Sequence, residues 1–140
     1  FLDSKLEAIA SSNNINNPDN FTLNISPENL VKLQKIENKF DKTPIEKIYI
    51  HYRRCLVENK YLTEDDLIRY LDLAFDKKTN PERLFILSNK PSKIKMRSYF
   101  YFHYKEIAGA PHGKQLKYAS LLGEYFEGYD TKTVSSNFTK

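Results

Sequence analysis

Short polar caps followed by regularly spaced apolar residues constrain this chain more than any other feature of its sequence. Ser26-Pro27, Thr43-Pro44-Ile45-Glu46 and Thr63-Glu64-Asp65-Asp66 are three such starts, and the second has the form of a capping box. Apolar residues then recur at helical spacing, so the sequence predicts three amphipathic helices. Their apolar faces are expected to hold Leu30, Leu33, Ile36 and Phe40, then Ile45, Ile48, Tyr52, Cys55 and Leu56, then Leu67, Leu71, Ala74 and Phe75.

The last third of the chain predicts three more helices. They cover about 92–108, about 114–126, and the stretch after Asp130. Gly109 and Pro111 end the first of these helices, and Gly128 ends the second. The predicted inward residues are Met96, Phe100, His103 and Ile107, then Leu116, Ala119, Leu122 and Phe126, then Val134 and Phe138.

These patterns predict a mainly α fold, and a glycine count of only 4 argues against a turn-rich β-sandwich or barrel. Residues 1–20 are expected to form a leading helix and an Asn-rich linker, and residues 21–90 a helical scaffold. Residues 91–140 are expected to form a basic trihelical unit, which is compatible with packing against 21–90 as one domain. One small two-stranded β ribbon is allowed, between FTLNI (21–25) and RLFILS (83–88).

The net charge of +4 is concentrated in one part of the chain. Residues 1–90 hold 14 Lys/Arg and 14 Asp/Glu, whereas residues 91–140 hold 8 Lys/Arg and 4 Asp/Glu. Such a bias favours an anionic partner for the last segment, although a solvated basic surface gives the same count.

The stretch GYDTKTVSSNF, residues 128–138, contains the parts that a DNA-reading helix needs. Gly128 allows a left-handed turn, and Asp130 is a helix cap. Val134 and Phe138 are spaced to anchor one face of the helix. The opposite face carries small polar and cationic residues, which are suited to base edges and phosphates.

This stretch resembles the turn and recognition helix of lac-repressor-type helix-turn-helix domains. The resemblance covers about eleven residues, and it implies that the last three helices form a helix-turn-helix unit whose third helix reads the major groove. It also implies that Thr131, Lys132, Ser135 and Ser136 face DNA. The residues that match by type are Gly128, Tyr129, Asp130, Thr133, Val134, Ser135 and Phe138.

The chain departs from that family in two respects. Glu124 stands where the family usually has a small residue, while Ala119 and Gly123 offer small surfaces at other offsets. The family also carries its unit at the N-terminus, whereas here the unit is C-terminal.

We therefore predict a DNA-binding protein that regulates transcription or a mobile element, with DNA as its partner. Arg97, Tyr101 and Lys105 interleave cations with an aromatic ring on the outward side of helix 92–108, a pattern that suits phosphate binding and base stacking. A solvated face with half-buried tyrosines is the alternative interpretation of that side. The predicted nucleic-acid-binding residues are Lys93, Arg97, Lys105, Lys114, Thr131, Lys132, Ser135, Ser136, Thr139 and Lys140.

The sequence predicts no enzyme, no metal site and no cofactor. His51 and Cys55 have a spacing that is able to hold a metal, but two ligands do not make a site, and Cys55 lies on an apolar stripe. His103 also lies on an apolar face, so a core histidine is expected. The single cysteine and the lack of an apolar run near the roughly 20 residues of a membrane span predict a cytoplasmic protein without membrane association.

The alternative function is a helical protein–protein interaction module with no nucleic-acid or enzymatic role. Tyrosine is enriched at interfaces, and the last third of the chain is dense in it. In that case the tyrosines would be buried against a protein partner or a second copy. A third interpretation makes 91–140 the C-terminal cap of a longer multidomain protein. The tyrosines concerned are Tyr99, Tyr101, Tyr104, Tyr118, Tyr125 and Tyr129.

Overall fold

The computed structural model describes residues 25–138, and over that range the chain is mainly α-helical, as predicted. The helices are α1 (Pro27–Lys35), α2 (Ile45–Tyr52), α3 (Glu64–Leu71), α4 (Lys93–Phe102), α5 (Gln115–Gly123) and α6 (Thr131–Ser136). Three of them, α2, α3 and α4, continue into wider π-helical turns at Arg53–Val57, Asp72–Lys77 and His103–Ile107. The predicted leading helix and linker (1–20) and the first four residues of FTLNI lie outside the described residues, as do Thr139 and Lys140.

Two of the three predicted helix caps in the first part of the chain are confirmed. The hydroxyl of Ser26 accepts the Asn29 N–H at 3.2 Å before α1. The hydroxyl of Thr63 accepts the Asp66 N–H at 3.1 Å before α3. Each cap satisfies a backbone donor that the helix itself leaves free.

The predicted capping box of Thr43 and Glu46 is wrong. Pro44 occupies the N-cap of α2, and no side chain caps the helix. The loop before α2 is instead organised by Asp41, whose Oδ1 accepts the Thr43 N–H at 3.1 Å, and by Asn38, whose amide donates to the Thr43 carbonyl oxygen at 2.8 Å. These side chains fix the backbone at Thr43 and replace the expected cap.

One hydrophobic cluster takes side chains from all six helices and from both sides of residue 90. Most of the predicted apolar faces are buried in it. Ile36 and Phe40 reach it from the loop after α1, because that helix ends at Lys35. Leu116 differs from its prediction and is 56% exposed, since α5 buries the side defined by Tyr118 and Leu122.

The prediction of a strand over 83–88 is wrong, and within the described part of the chain these residues form only a single bridge. Phe85 forms an isolated parallel bridge with Phe126. The Phe85 N–H donates to the Tyr125 carbonyl oxygen at 2.8 Å, and the Glu127 N–H donates to the Phe85 carbonyl oxygen at 2.9 Å. The apolar run therefore packs beside the segment after α5, and this contact links the last third of the chain to the rest.

Candidate nucleic-acid interface

Helices α5 and α6 meet where no side chain separates their backbones. A Cβ atom placed on Gly123 would lie 2.3 Å from the Thr131 nitrogen and 2.5 Å from its Cα. Only glycine permits such an approach, because packed atoms cannot overlap to that extent. At the other end of the pair, the Gln115 side-chain amide donates to the Ser135 carbonyl oxygen at 2.7 Å. The two helices therefore run antiparallel in close contact.

The cap and the anchors predicted for α6 are confirmed. Asp130 Oδ2 accepts the Thr133 N–H at 3.0 Å and the Thr133 hydroxyl at 3.1 Å, and these bonds lower the pKa of the Asp130 carboxyl. Val134 and Phe138 are buried. The centroid of the Phe138 ring lies 5.6 Å from that of the Tyr101 ring on α4. Both anchors thus hold α6 with one face inward and the other toward solvent.

The segment between α5 and α6, residues 124–130, is longer than the roughly three- to four-residue turn of a helix-turn-helix unit. The bridge to Phe85 holds it at Phe126. Gly128 has a φ of +92°, which is the left-handed conformation predicted for it. Lys93 Nζ donates to the Gly128 carbonyl oxygen and lies 4.7 Å from the centroid of the Tyr129 ring. The segment is therefore fixed at two points before α6 begins.

The side of α4 that carries Arg97 and Tyr101 contacts α6 and the residue Phe138 that follows it. Arg97 lines a cleft of about 200 Å³ together with Thr133 from the first half of α6. Tyr101 meets Phe138 at the other end of α6, and Lys105 follows in the exposed part of the π-helical turn. Lys114, just before α5, is exposed at that same end. We call this surface the α4–α6 face, and its members are Arg97, Tyr101, Lys105, Lys114, Lys132, Ser135 and Ser136.

Two predicted contact residues do not lie free on this face. The Thr131 Oγ1 atom is buried beside Gly123 and has no hydrogen-bond partner among residues 25–138. The Lys93 ammonium contacts the Gly128 carbonyl oxygen and the Tyr129 ring in the segment before α6. Thr139 and Lys140 lie outside the described residues. Of the others, Lys105, Lys114, Lys132 and Ser136 are exposed, while Arg97 and Ser135 are half-buried.

The tyrosines of the last third pack within this chain to a large extent. Tyr118 and Tyr125 are buried, and Tyr101, Tyr104 and Tyr129 are half-buried against the core. The Tyr125 hydroxyl donates to the Thr79 carbonyl oxygen at 3.0 Å. Their number is therefore explained by internal packing, and it does not by itself favour a protein partner.

A buried hydrogen-bonded network behind the face was only partly predicted. His103 is completely buried, with Nδ1 2.9 Å from the Tyr52 hydroxyl and Nε2 3.2 Å from Asp41 Oδ2. The Tyr118 hydroxyl donates to the same Asp41 oxygen at 2.7 Å. Because a carboxylate only accepts, Nε2 donates to it. Burial raises the pKa of Asp41, but the bonds from His103 and Tyr118 outweigh it and hold that pKa well below its usual range.

The expectation of a core histidine at position 103 is confirmed, and both ring nitrogens have partners. Asp41 was missed because it lies in a loop 62 residues away from His103, so no local pattern marks it. The network joins the loop before α2 to α4 and α5, and it supports the helices beneath the α4–α6 face.

His51 and Cys55 are close, with Sγ 3.9 Å from Nδ1. Burial raises the pKa of the Cys55 thiol to about 12, which disfavours the thiolate that metals and nucleophilic reactions require. His51 Nε2 is already 2.9 Å from the Tyr99 carbonyl oxygen. Within residues 25–138, no group of three or more His, Cys, Asp or Glu side chains is placed to hold a metal ion.

A groove of about 580 Å³ lies apart from this face, between α1 and the α3 region. Its lining mixes both signs of charge, and several charges pair within it: Arg69 with Asp66 at 3.2 Å, and Lys77 with Asp72 at 2.9 Å. This balance favours neither an anion nor a cation, so the groove does not define a binding chemistry.

Comparison of the chain with protein-family models, with curated protein sequences and with solved structures gave no match. Within residues 25–138, no helix combines the length and the hydropathy that a membrane span requires. The case for a function therefore rests on the α4–α6 face itself.

Proposed function

We propose that this protein binds DNA through the α4–α6 face. The observation that carries the proposal is the division of α6 into two sides. Val134 and Phe138 anchor it in the core, while Lys132 and Ser136 face solvent. Arg97 of α4 lines a cleft beside Thr133 of α6. A helix with small polar and cationic side chains outward fits the major groove, where bulky apolar groups have no partners.

The cations and the serines have different roles in this proposal. Arg97, Lys105, Lys114 and Lys132 bind phosphates and fix the register of the protein on the duplex. The hydroxyls of Ser135 and Ser136 approach base edges, where a hydroxyl pairs as donor or acceptor. Binding of this kind serves the regulation of transcription or of a mobile element.

A double substitution of Lys132→Glu and Ser136→Glu tests the proposal. Both side chains are exposed, so the fold is expected to persist while DNA binding is lost through repulsion of phosphates. The matched control is Lys47→Glu with Gln34→Glu, two exposed positions on α2 and α1 that change the net charge equally. Unchanged DNA affinity in the folded Lys132/Ser136 variant, or equal loss in the control, would contradict the proposal.

A protein-interaction module remains the second candidate because of exposed apolar side chains outside the α4–α6 face. Ile86 and Ile94 are 72% and 73% exposed, and Leu84 and Phe102 are 44% and 48% exposed. Salt separates the two functions, since phosphate binding weakens steeply with added salt, whereas an apolar contact changes little.

A further inference from the structure

The first residue of α4 reaches across to the segment that leads into α6. The Lys93 ammonium donates to the Gly128 carbonyl oxygen and lies over the face of the Tyr129 ring. Both partners directly precede Asp130, the cap of α6. One lysine side chain therefore ties α4 to the start of α6, while the packing of Tyr101 on Phe138 ties α4 to its end.

These contacts compete with any phosphate for the Lys93 ammonium. The ring face of Tyr129 attracts the ammonium electrostatically, and the Gly128 carbonyl takes one of its three donors. A phosphate would have to draw Lys93 away from at least one of them. Moving Lys93 would also release the backbone at Gly128, which is held in a left-handed conformation just before the helix.

We infer that Lys93 is a positioning residue, which holds the start of α6 in its DNA-binding orientation and does not itself bind phosphate. The inference rests on the proposed function, and it replaces the phosphate contact that the sequence suggested for this lysine. Tyr129 has the same positioning role, since its ring is the one that the Lys93 ammonium covers.

The salt dependence of binding separates the two roles. The logarithm of the binding constant falls linearly with the logarithm of salt concentration, with a slope of about −0.9 for each neutralised phosphate. Loss of a phosphate contact therefore makes the slope shallower by about 0.9. Loss of a residue that orients α6 reduces the fraction of protein molecules that are able to bind DNA. Affinity then falls equally at every salt concentration, and the slope is unchanged.

The first experiment measures DNA affinity by fluorescence anisotropy with a random-sequence duplex, between about 50 and about 200 mM salt. Lys93→Met is expected to weaken binding about tenfold with an unchanged slope. Lys105→Met, which removes a proposed phosphate contact, is expected to reduce the slope by about 0.9. Lys93→Arg is expected to restore most of the affinity, because a guanidinium also stacks on a ring. A Lys93→Met slope that is shallower by about 0.9 overturns the inference.

The second experiment uses amide hydrogen exchange without DNA, so its result does not depend on the proposed function. Lys93→Met and Tyr129→Leu are both expected to speed exchange at the Thr133 and Val134 amides, which are bonded to Asp130. Lys95→Met, at an exposed lysine in the same helical turn, is the control and is expected to leave exchange unchanged.

The two experiments distinguish failure of the inference from failure of the proposed function. Unchanged exchange at these amides in both Lys93→Met and Tyr129→Leu overturns the positioning role, whether or not the protein binds DNA. Faster exchange in both variants, together with no DNA binding by the wild-type protein, supports the positioning of α6 and contradicts the DNA-binding proposal alone.

Discussion

Replacing Gly123 with alanine is expected to force α5 and α6 apart. The added Cβ would lie 2.3 Å from the Thr131 backbone nitrogen, whereas ordinary contacts of a Cβ begin at 3.4 Å. Because the nearest atoms include backbone, no side-chain rotation relieves the overlap, and α6 has to move by about 1 Å. The substitution therefore acts on the position of the whole helix.

The cost follows from two opposing effects. Overpacking of this kind destabilises by about 1–3 kcal/mol, and the better helix propensity of alanine returns at most about 1 kcal/mol. We expect a net loss of about 1–2 kcal/mol in the free energy of unfolding. For a chain of this length, that corresponds to a fall in Tm of about 3–6 °C.

Thermal and urea unfolding followed by circular dichroism measure this loss. Ser120→Ala is the control, because it changes α5 without adding an atom near α6. A second variant, Gly123→Ala with Thr131→Ala, removes the Thr131 hydroxyl but leaves the backbone nitrogen in place, so it is expected to remain destabilised. A wild-type Tm in Gly123→Ala, or full recovery in the double variant, would refute the close approach of the two backbones.

Four further substitutions test other parts of the fold by urea unfolding. Thr131→Val removes a buried hydroxyl without a partner and is expected to raise stability by up to about 1 kcal/mol, so a loss would show that the hydroxyl is satisfied. Asp41→Asn is expected to cost about 2–4 kcal/mol, and Tyr118→Phe only about 1 kcal/mol; equal, negligible losses would contradict the buried network. The lowered pKa of Asp41 makes its contribution complete above about pH 4 and progressively lost below it. Burial lowers the pKa of His51 to about 4, below its unfolded value of about 6.5, so its contribution of at most about 3 kcal/mol is complete above pH 6.5 and is lost as pH falls toward 4. His51→Gln should therefore show less change in stability between about pH 7 and about pH 4.5 than wild type, and an equal change would rule out this linkage.

Local chemistry explains what the sequence predicted of this fold. The caps Ser26, Thr63 and Asp130 act on backbone groups within three residues, so they are visible in a short stretch of sequence. Apolar spacing depends only on helical geometry, which is why the buried faces of most helices were correct. The predicted capping box at Thr43 was wrong because the loop side chains bind the backbone there. Asp41 accepts the Thr43 N–H, and Asn38 donates to the Thr43 carbonyl oxygen.

Contacts between distant segments account for what the sequence did not predict. The bridge of Phe85 to Phe126 and the bond of Asp41 to His103 join residues that no local pattern connects. The sequence marks Gly123 as a small surface, and only the structure assigns it to the crossing with Thr131. Likewise, the charge of Lys93 was visible in the sequence, but its partners across the fold were not.

The measurement that tests the central proposal most directly is the salt dependence of binding to a random-sequence duplex by the wild-type protein. Four phosphate contacts from the α4–α6 face predict a slope of about −3.6, which corresponds to a loss of about 150-fold in affinity between about 50 and about 200 mM salt. The Lys132→Glu, Ser136→Glu variant is expected to show no such binding. Absence of wild-type binding at about 50 mM salt, or an affinity that does not change with salt, would contradict DNA recognition by this face.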